Sequence, residues 1–207
     1  MKIAVYNTEG KETKKKVDLD KEIFGIEPND HAIYLEVKRY LAAQRTGTHK
    51  AKERSDIKGS RRKLRKQKGS GAARVGDIKN PLFRGGGRVF GPRPRKYDFK
   101  INKKVKKLAR RSALSYMAKN KDIIVLEEIN FTQPKTKLYS EFLSNFNLLD
   151  QKTLLVIPEA NNNLLLSSRN LSKARVLLAS DLSTYDVMNT NKLLIVESSI
   201  KTIKENL

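Results

Sequence analysis

One stretch of this chain, residues 44–96, cannot bury a hydrophobic core of its own. Its apolar residues are scattered, and neither a helical nor a strand period runs through it. It carries 18 Lys or Arg residues against three acids, a net charge of +15, and nine of the chain's 11 glycines. We call it the basic segment. A segment of this composition is expected to be disordered by itself, so we predict that a polyanion orders it.

The charge of the whole chain is concentrated in the basic segment. The 207 residues carry a net charge of +22, which leaves only +7 for everything outside the segment. This concentration predicts a dedicated surface for a polyanion. The chain has no Cys, which excludes disulfides, thiolate zinc sites and Cys nucleophiles. No apolar run approaches the ~20 residues that span a bilayer, and the N-terminus lacks a signal-peptide core, so we expect a soluble, cytoplasmic protein.

Regular structure is predicted before the basic segment. Residues 2–6 and 16–19 are β-prone and flank a turn signal at residues 7–10, which predicts a hairpin. Asn29 or Asp30 is the expected N-cap of a following helix. Four apolar side chains of that helix share one face, and the periodicity ends near Gln44: Ile33, Val37, Tyr40 and Leu41.

A second helix is predicted after the basic segment. An apolar stripe at helical spacing is formed by Val105, Leu108, Ala109, Ala113, Tyr116 and Met117. Basic residues surround this stripe, namely Lys103, Lys104, Lys106, Lys107, Arg110 and Arg111. The basic segment is thus bracketed by two helices that can dock on one core, which predicts that its ends are held while its middle is free.

The remainder of the chain has the pattern of an α/β fold. Residues 123–126, 154–157, 176–178 and 193–196 are short unbroken apolar runs, which are typical of strands buried on both faces of a parallel sheet. Helices are predicted between and after them, from a stripe of Leu138, Phe142 and Phe146 and at residues 161–171, 181–190 and 198–207. We therefore predict an α/β three-layer sandwich around a mainly parallel four-stranded sheet, with a small N-terminal hairpin and a long, basic, Gly-rich extended loop. Residues 1–44 and 97–207 would form the globular domain, and residues 45–96 the inserted loop.

The residue types of the basic segment suit contact with nucleic acid phosphates. Arg offers forked donors, Lys offers a mobile point charge, and Gly lets backbone N–H groups approach an anion closely. Phe83, Phe90 and Tyr97 could stack on unpaired bases. The candidate RNA-binding cations are Arg45, Lys50, Lys52, Arg54, Lys58, Arg61, Arg62, Lys63, Arg65, Lys66, Lys68, Arg74, Lys79, Arg84, Arg88, Arg93, Arg95 and Lys96. The candidate residues for close backbone approach and stacking are Gly69, Gly71, Gly85, Gly86, Gly87, Phe83 and Phe90.

A solvated basic linker is the plain alternative for this segment. A linker needs no bulky apolar residues, yet Leu82, Phe83, Val89 and Phe90 flank three consecutive glycines. Paired recognition helices, zinc ligands and a basic zipper are all missing from the sequence, and a Gly-rich chain that threads crevices suits folded RNA better than a regular duplex.

Signals of catalysis are weak throughout the chain. A dinucleotide-type loop begins at Gly69, but Arg74 stands where its third glycine should be, and no strand precedes it. A P-loop spacing ends at Gly76, where Asp77 replaces the required Lys. Two acids, at positions 127 and 128, follow the first buried strand, but a solvated strand end is the commoner interpretation. The two histidines of the chain cannot build a convincing metal site. We predict no enzymatic activity, no cofactor and no metal.

Five short motifs stand out along the chain: QKGSGAAR at residues 67–74, PLFRGGGRVFGPRP at 81–94, NKK at 102–104, PKTK at 134–137 and SRNL at 168–171. Together they closely resemble the universal large-subunit ribosomal proteins of the L-four family, bacterial type. The resemblance covers nearly the whole chain. It departs from the family at residues 64–66, where Leu-Arg-Lys replaces a frequent Pro-Trp-Arg, and at Ala72, where a second arginine is usual.

The resemblance implies a structural constituent of the large ribosomal subunit in the cytoplasm. It implies an α/β domain on the outer surface of the subunit and a basic loop that penetrates the large-subunit rRNA. Residues 61–74 would be the loop tip, which would line the peptide exit tunnel beside the L-twenty-two family protein, and residues 79–96 the returning limb. Some relatives also repress their own operon by binding its leader RNA. Two other classes remain open at this point: an RNA-modifying or RNA-cleaving enzyme, and a general nucleic-acid-compacting protein.

Overall fold

A six-stranded mixed sheet is the centre of the computed structural model, which describes all residues from 1 to 207. The chain divides into two compact units, one formed by Met1–Leu41 with Lys100–Leu207 and the other by Ala42–Phe99. The strands are β1 (Lys2–Tyr6), β2 (Glu12–Asp18), β3 (Ile123–Leu126), β4 (Thr153–Ile157), β5 (Ala174–Leu178) and β6 (Lys192–Val196). The helices are α1 (Lys21–Phe24), α2 (Asp30–Ala43), α3 (Lys103–Lys119), α4 (Thr136–Asn145), α5 (Asn162–Ser168), α6 (Thr184–Met188) and α7 (Ser199–Asn206).

The order of the strands corrects the size of the predicted sheet. The order is β2-β1-β3-β6-β4-β5; all neighbours pair in parallel except β1 and β2, which form the antiparallel hairpin. The class α/β is confirmed, but the sheet has six strands and not four. The reason is that β1 also pairs with β3, with Val5 opposite Val125, so that the hairpin extends the sheet.

The central strands bury side chains on both faces. Val125, Val156 and Ile195 belong to one core cluster, together with residues of α1, α3, α6 and α7. The alternate residues Leu155 and Leu194 belong to a second cluster, with residues of α4 and α5. Because successive side chains of a strand point to opposite faces, two separate cores require a layer of helices on each side of the sheet. The sheet therefore lies between two helical layers, as the continuous apolar runs indicated.

Most predicted elements are present with small shifts at their ends. The helix before the basic segment begins at Asp30, and the Asn29 side chain accepts a hydrogen bond from the backbone N–H of Ala32 at 2.9 Å, as an N-cap does. The prediction for β2 was wrong in its bounds, because this strand is rich in Lys and most of its side chains are exposed. The predicted helix at residues 181–190 is split into a short 3-10 turn, Ala179–Asp181, and α6.

The apolar stripe of α3 was only partly correct. Ala109, Ala113 and Met117 are buried as predicted, but Leu108 is exposed. Buried positions also include Ser112 and Ser115, which no apolar pattern reveals. Both hydroxyls make long-range hydrogen bonds: the Ser112 hydroxyl accepts from the backbone N–H of Asn29 at 3.1 Å, and that of Ser115 donates to the carbonyl of Ile23 at 3.1 Å. None of the helices combines the length and the apolar character needed to cross a bilayer.

We predict that truncating a central strand residue lowers stability far more than truncating a surface leucine. Leu155 in β4 is fully buried, so Leu155→Ala should reduce the free energy of unfolding by about 2–5 kcal/mol. Leu165 in α5 is 38% exposed and serves as the matched control, for which Leu165→Ala should cost clearly less. Chemical denaturation of the free protein measures both values, and equal losses would contradict this description of the core.

Candidate nucleic-acid interface

The second unit, Ala42–Phe99, is held together without helices or strands of its own apart from the last residues of α2. Residues 45–60, which we call the outgoing limb, and residues 79–96, the returning limb, are joined by isolated backbone hydrogen bonds. The N–H of Ala51 donates to the carbonyl of Pro92 at 3.0 Å, and the N–H of Arg95 donates to the carbonyl of Gly47 at 3.1 Å. Further along the two limbs, the N–H of Arg88 donates to the carbonyl of Lys52 at 2.9 Å. The two limbs therefore run side by side, although no regular ladder forms.

Some glycines of this unit are required by close approach within the unit itself. A Cβ on Gly86 would lie 2.0 Å from the carbonyl oxygen of Asn80, and a Cβ on Gly87 would lie 2.5 Å from the backbone nitrogen of Arg54. No side chain fits at either position. Gly69 and Gly71 differ, because nothing lies within 4 Å of an added Cβ and both have positive φ angles, of 83° and 62°. These two glycines therefore allow turns with a left-handed backbone conformation that other residues rarely adopt.

All three acids of the basic segment form ion pairs with its cations. Glu53 accepts from Arg93 at 2.6 Å and Asp77 accepts from Arg54 at 2.9 Å, so both pairs connect distant parts of the unit. Asp56 lies 3.0 Å from Lys50. The prediction that the segment is disordered without a polyanion stays a prediction. These ion pairs nevertheless connect the parts of the unit to one another. The presence of three acids among 18 cations is the feature of the sequence that could have indicated such pairs.

The Arg54–Asp77 pair is the most sheltered of these ion pairs. Asp77 is 7% exposed, and the hydrogen bond from the Arg54 guanidinium holds the pKa of its carboxyl below the usual range. Lys79 is buried at the same place. Of the 18 predicted RNA-binding cations, Lys79 is therefore the least accessible, while Arg54 and Arg93 already have carboxylate partners.

Residues 61–74 form the most strongly cationic part of the unit, and we call them the tip. Every residue of the tip is exposed, and it contains seven cations and no acid: Arg61, Arg62, Lys63, Arg65, Lys66, Lys68 and Arg74. No cation of the tip has a carboxylate partner; Lys63 donates to the side chain of Gln67. The positive charge that the limbs partly neutralise is thus left uncompensated at the tip.

Apolar side chains of the unit are unusually exposed. Phe90 has a fully exposed ring and a positive φ of 54°, which costs energy in a non-glycine residue. Phe83, another predicted stacking residue, is half-buried. Leu82 is 90% exposed and was not among the predicted site residues. Tyr97 is occupied within the unit, because the guanidinium groups of Arg45 and Arg95 lie 5.2 and 4.6 Å from its ring centre.

A further basic surface in the other unit was not among the predicted site residues. The first turns of α3 carry Lys103, Lys104, Lys106 and Lys107 with no acid, and the Asn102 side chain makes no capping hydrogen bond. The N-terminal end of a helix carries a partial positive charge, so cations there are unfavourable for the helix. Helix stability therefore does not explain this placement.

Comparison with known proteins decides the class of this chain. Residues 17–206 match the sequence pattern of the ribosomal protein L4/L1 family. The chain belongs to that family. It is 56% identical over 206 residues to the large ribosomal subunit protein uL4 of Parabacteroides distasonis, covering 100% of this chain and 99% of the relative. It is 55% identical over 207 residues to the protein of the same name from Flavobacterium johnsoniae, again covering 100% of this chain and 99% of the relative.

Membership of the L4/L1 family confirms the resemblance read from the motifs. The family is structural and not enzymatic, so the prediction of no enzymatic activity is confirmed as well. Glu128 is exposed at the end of β3, no group of three or more His, Asp or Glu side chains could hold a metal, and Gly69 and Gly71 follow no strand. Which cations contact RNA stays a prediction.

We predict that Asp77→Asn loosens the second unit at neutral pH but not in acid. The pKa of Asp77 is lowered in the folded chain, so the ion pair stabilises above the unfolded value of about 4 and is lost as the pH falls towards the folded value. The backbone N–H groups of Leu64 and Gly87 donate to the carbonyls of Gly76 and Lys79, close to Asp77 in the chain. At pH 6 the hydrogens of these two amides should exchange with solvent faster in the variant than in the wild-type chain. This difference in exchange rate should shrink as the pH falls below about 4. The control Asp150→Asn removes a fully exposed partner of Lys173 and should change neither rate. A pH-independent difference would mean that packing, and not the charge pair, orders this region.

We also predict that reversing the charge at the start of α3 stabilises the free protein. The double variant Lys103→Glu/Lys104→Glu should raise the free energy of unfolding by about 1 kcal/mol at low ionic strength, because acids complement the positive end of the helix. Lys119 lies in the last turn of the same helix, where a cation is favourable, so Lys119→Glu should have the opposite effect. Urea denaturation compares the three proteins, and a loss of stability in the double variant would show that these lysines serve the fold.

Proposed function

We propose that this chain is a structural protein of the large ribosomal subunit that binds large-subunit rRNA through the basic segment. The observation that carries the proposal is the tip, in which fourteen consecutive exposed residues hold seven cations and no acid. Its family membership and its full-length similarity to proteins named for the large subunit support the same conclusion. The chain would work in the ribosome, in the cytoplasm, without a cofactor.

Binding would follow from neutralisation of phosphates by the tip and the limbs. Each phosphate that a cation neutralises releases condensed counterions, which makes association favourable and strongly dependent on salt. Each arginine of the tip would donate two hydrogen bonds to the oxygens of one phosphate, whereas the flexible lysines would adjust to an irregular path of the RNA backbone. The exposed ring of Phe90 is available to stack on an unpaired base. Lysines at the start of α3 would add contacts from the first unit, where RNA phosphates would compensate their unfavourable position.

The position of the tip within the subunit is part of the proposal. Residues 61–74 would reach the wall of the peptide exit tunnel beside the L-twenty-two family protein, and residues 79–96 would return along the rRNA. Support comes from the hydrogen bonds between the limbs, because the chain between two paired limbs has to reverse its direction, and the tip lies there. A role in repressing its own operon would use the same cations, so competition between the operon leader RNA and rRNA for the wild-type chain tests it.

We predict that three cations of the tip contribute to RNA binding and nothing to folding. The variant Arg61→Ala/Arg62→Ala/Lys63→Ala should bind a large-subunit rRNA transcript roughly 10²-fold more weakly near 0.15 M salt, because about 0.9 counterions are released per contact. The slope of log K against log salt should fall by about 2–3. Its melting temperature should equal that of the wild-type protein, since all three side chains are exposed and lack carboxylate partners.

A control with the same loss of charge distinguishes a specific surface from general attraction. Lys135, Lys137 and Lys201 are exposed in the first unit, and their triple replacement by Ala should leave most of the affinity and the slope intact. Equal weakening by both triple variants would contradict a dedicated tip. Duplex DNA that competes as well as rRNA would favour a general compacting protein, and failure to co-sediment with large subunits after a high-salt wash would contradict the ribosomal assignment.

A further inference from the structure

The second unit contains a cavity. Binding of phosphates by charge attraction alone would need no such cavity. Its volume is about 840 Å³, and it lies between residues 57–66 and the returning chain at residues 78–85. Three aliphatic side chains from separate parts of the sequence line it, namely Ile57, Leu64 and Ile78. Leu64 is 48% exposed and Ile78 is 52% exposed, so about half of each side chain is left uncovered by the rest of this chain. Exposed apolar side chains that converge on one hollow indicate a binding surface.

Local backbone contacts hold these side chains together. The N–H of Leu64 donates to the carbonyl of Gly76 at 2.9 Å, which closes the tip beside the hollow. The N–H of Arg62 donates to the hydroxyl of Ser60 at 3.0 Å, which fixes the turn that precedes Leu64. A Cβ on Gly59 would lie 3.2 Å from a methyl group of Ile78, so a glycine allows the two chains to come this close.

Cationic side chains also line the cavity, and no acid does. Arg62, Arg65 and Arg84 are among them, and none of the three forms an ion pair with a carboxylate. A lining that is both aliphatic and cationic has two requirements that one ligand must meet. Inorganic phosphate would satisfy the arginines but leave the aliphatic side chains in water. An apolar peptide would cover the aliphatic side chains but leave the arginines without anions.

We propose that this cavity receives a single unstacked nucleotide of the bound RNA. The base would pack against Ile57, Leu64 and Ile78, while the flanking phosphates would bind Arg62, Arg65 and Arg84. A nucleotide has a flat apolar face and an anionic backbone, so it meets both requirements, and the volume is within the range of small-ligand sites. Proteins commonly recognise RNA by taking unstacked bases into such sites. The inference rests on the proposed function, since it names what the tip recognises.

Apolar packing and phosphate contact respond differently to salt, which makes the inference testable. The probes are two RNA hairpins of equal length and charge, one with a single bulged nucleotide and the other fully paired. The wild-type full-length chain should prefer the bulged hairpin by about tenfold, a magnitude typical of one packed base. The double variant Ile57→Ser/Ile78→Ser should lose this preference while the slope of log K against log salt stays unchanged, because it removes no charge.

A matched control lies in the same unit. Val89 is 56% exposed but does not line the cavity, so Val89→Ser should keep the preference for the bulged hairpin. Methyl NMR of the full-length chain locates the contact directly. The bulged hairpin and adenosine monophosphate should shift the methyl resonances of Ile57, Leu64 and Ile78 through the ring current of the base. Inorganic phosphate should leave those methyl resonances in place.

The outcomes separate this inference from the proposed function. Equal affinity of the wild-type chain for both hairpins, with steep salt dependence, would overturn the nucleotide site and leave RNA binding by the tip standing. Methyl resonances that respond only to a neighbouring ribosomal protein would also overturn it, because the occupant would then be an apolar protein segment. Weak, salt-insensitive binding of every RNA would instead contradict the proposed function itself.

Discussion

Mutual repulsion among the cations of residues 44–96 is the constraint on which the organisation of this chain depends. Eighteen positive side chains in one segment oppose any compact arrangement unless negative charge is supplied. The chain supplies three carboxylates, and all three lie outside the tip: Glu53 pairs with Arg93 and Asp77 with Arg54. The tip receives none. The limbs can therefore lie side by side in the free chain, whereas on the proposed function RNA phosphates would compensate the charge of the tip.

The two units obtain their order from different forces, and the sequence predicted them unequally well. Strands β3, β4, β5 and β6 were found from unbroken apolar runs, because successive residues of these runs pack into the two cores on opposite faces of the sheet. The hairpin strand β2 was misplaced because its Lys-rich sequence has no such run, and its order comes from pairing with β1. That the hairpin joins the sheet through Val5 and Val125 depends on a contact 120 positions apart, which no local pattern contains.

The candidate site was predictable in composition but not in arrangement. Counting cations and glycines selected the candidate segment, and the family motifs identified the class of the chain. Which cations are available could not be read from the sequence, because Arg54 and Asp77 are 23 positions apart and Arg93 and Glu53 are 40 apart. Lys79 looked like any other lysine of the segment, yet it is buried. The cavity could not be predicted either, since Ile57, Leu64 and Ile78 share no period and meet only because residues 57–66 come close to the returning chain.

On the proposed function, the division of charge would assign specificity and affinity to different residues of the basic segment. Phosphates are alike along every RNA, so the uncompensated cations of the tip would attract RNA without choosing among sequences or shapes. A choice requires groups that distinguish a free base from a paired one, and apolar surface is suited to this because a base in a helix is already stacked. Leu64 is the first residue of the Leu-Arg-Lys sequence that replaces the Pro-Trp-Arg frequent in the L-four family, and it lies on that apolar surface. The replacement would therefore bear on the choice of RNA, while the positive charge that would bind it is kept.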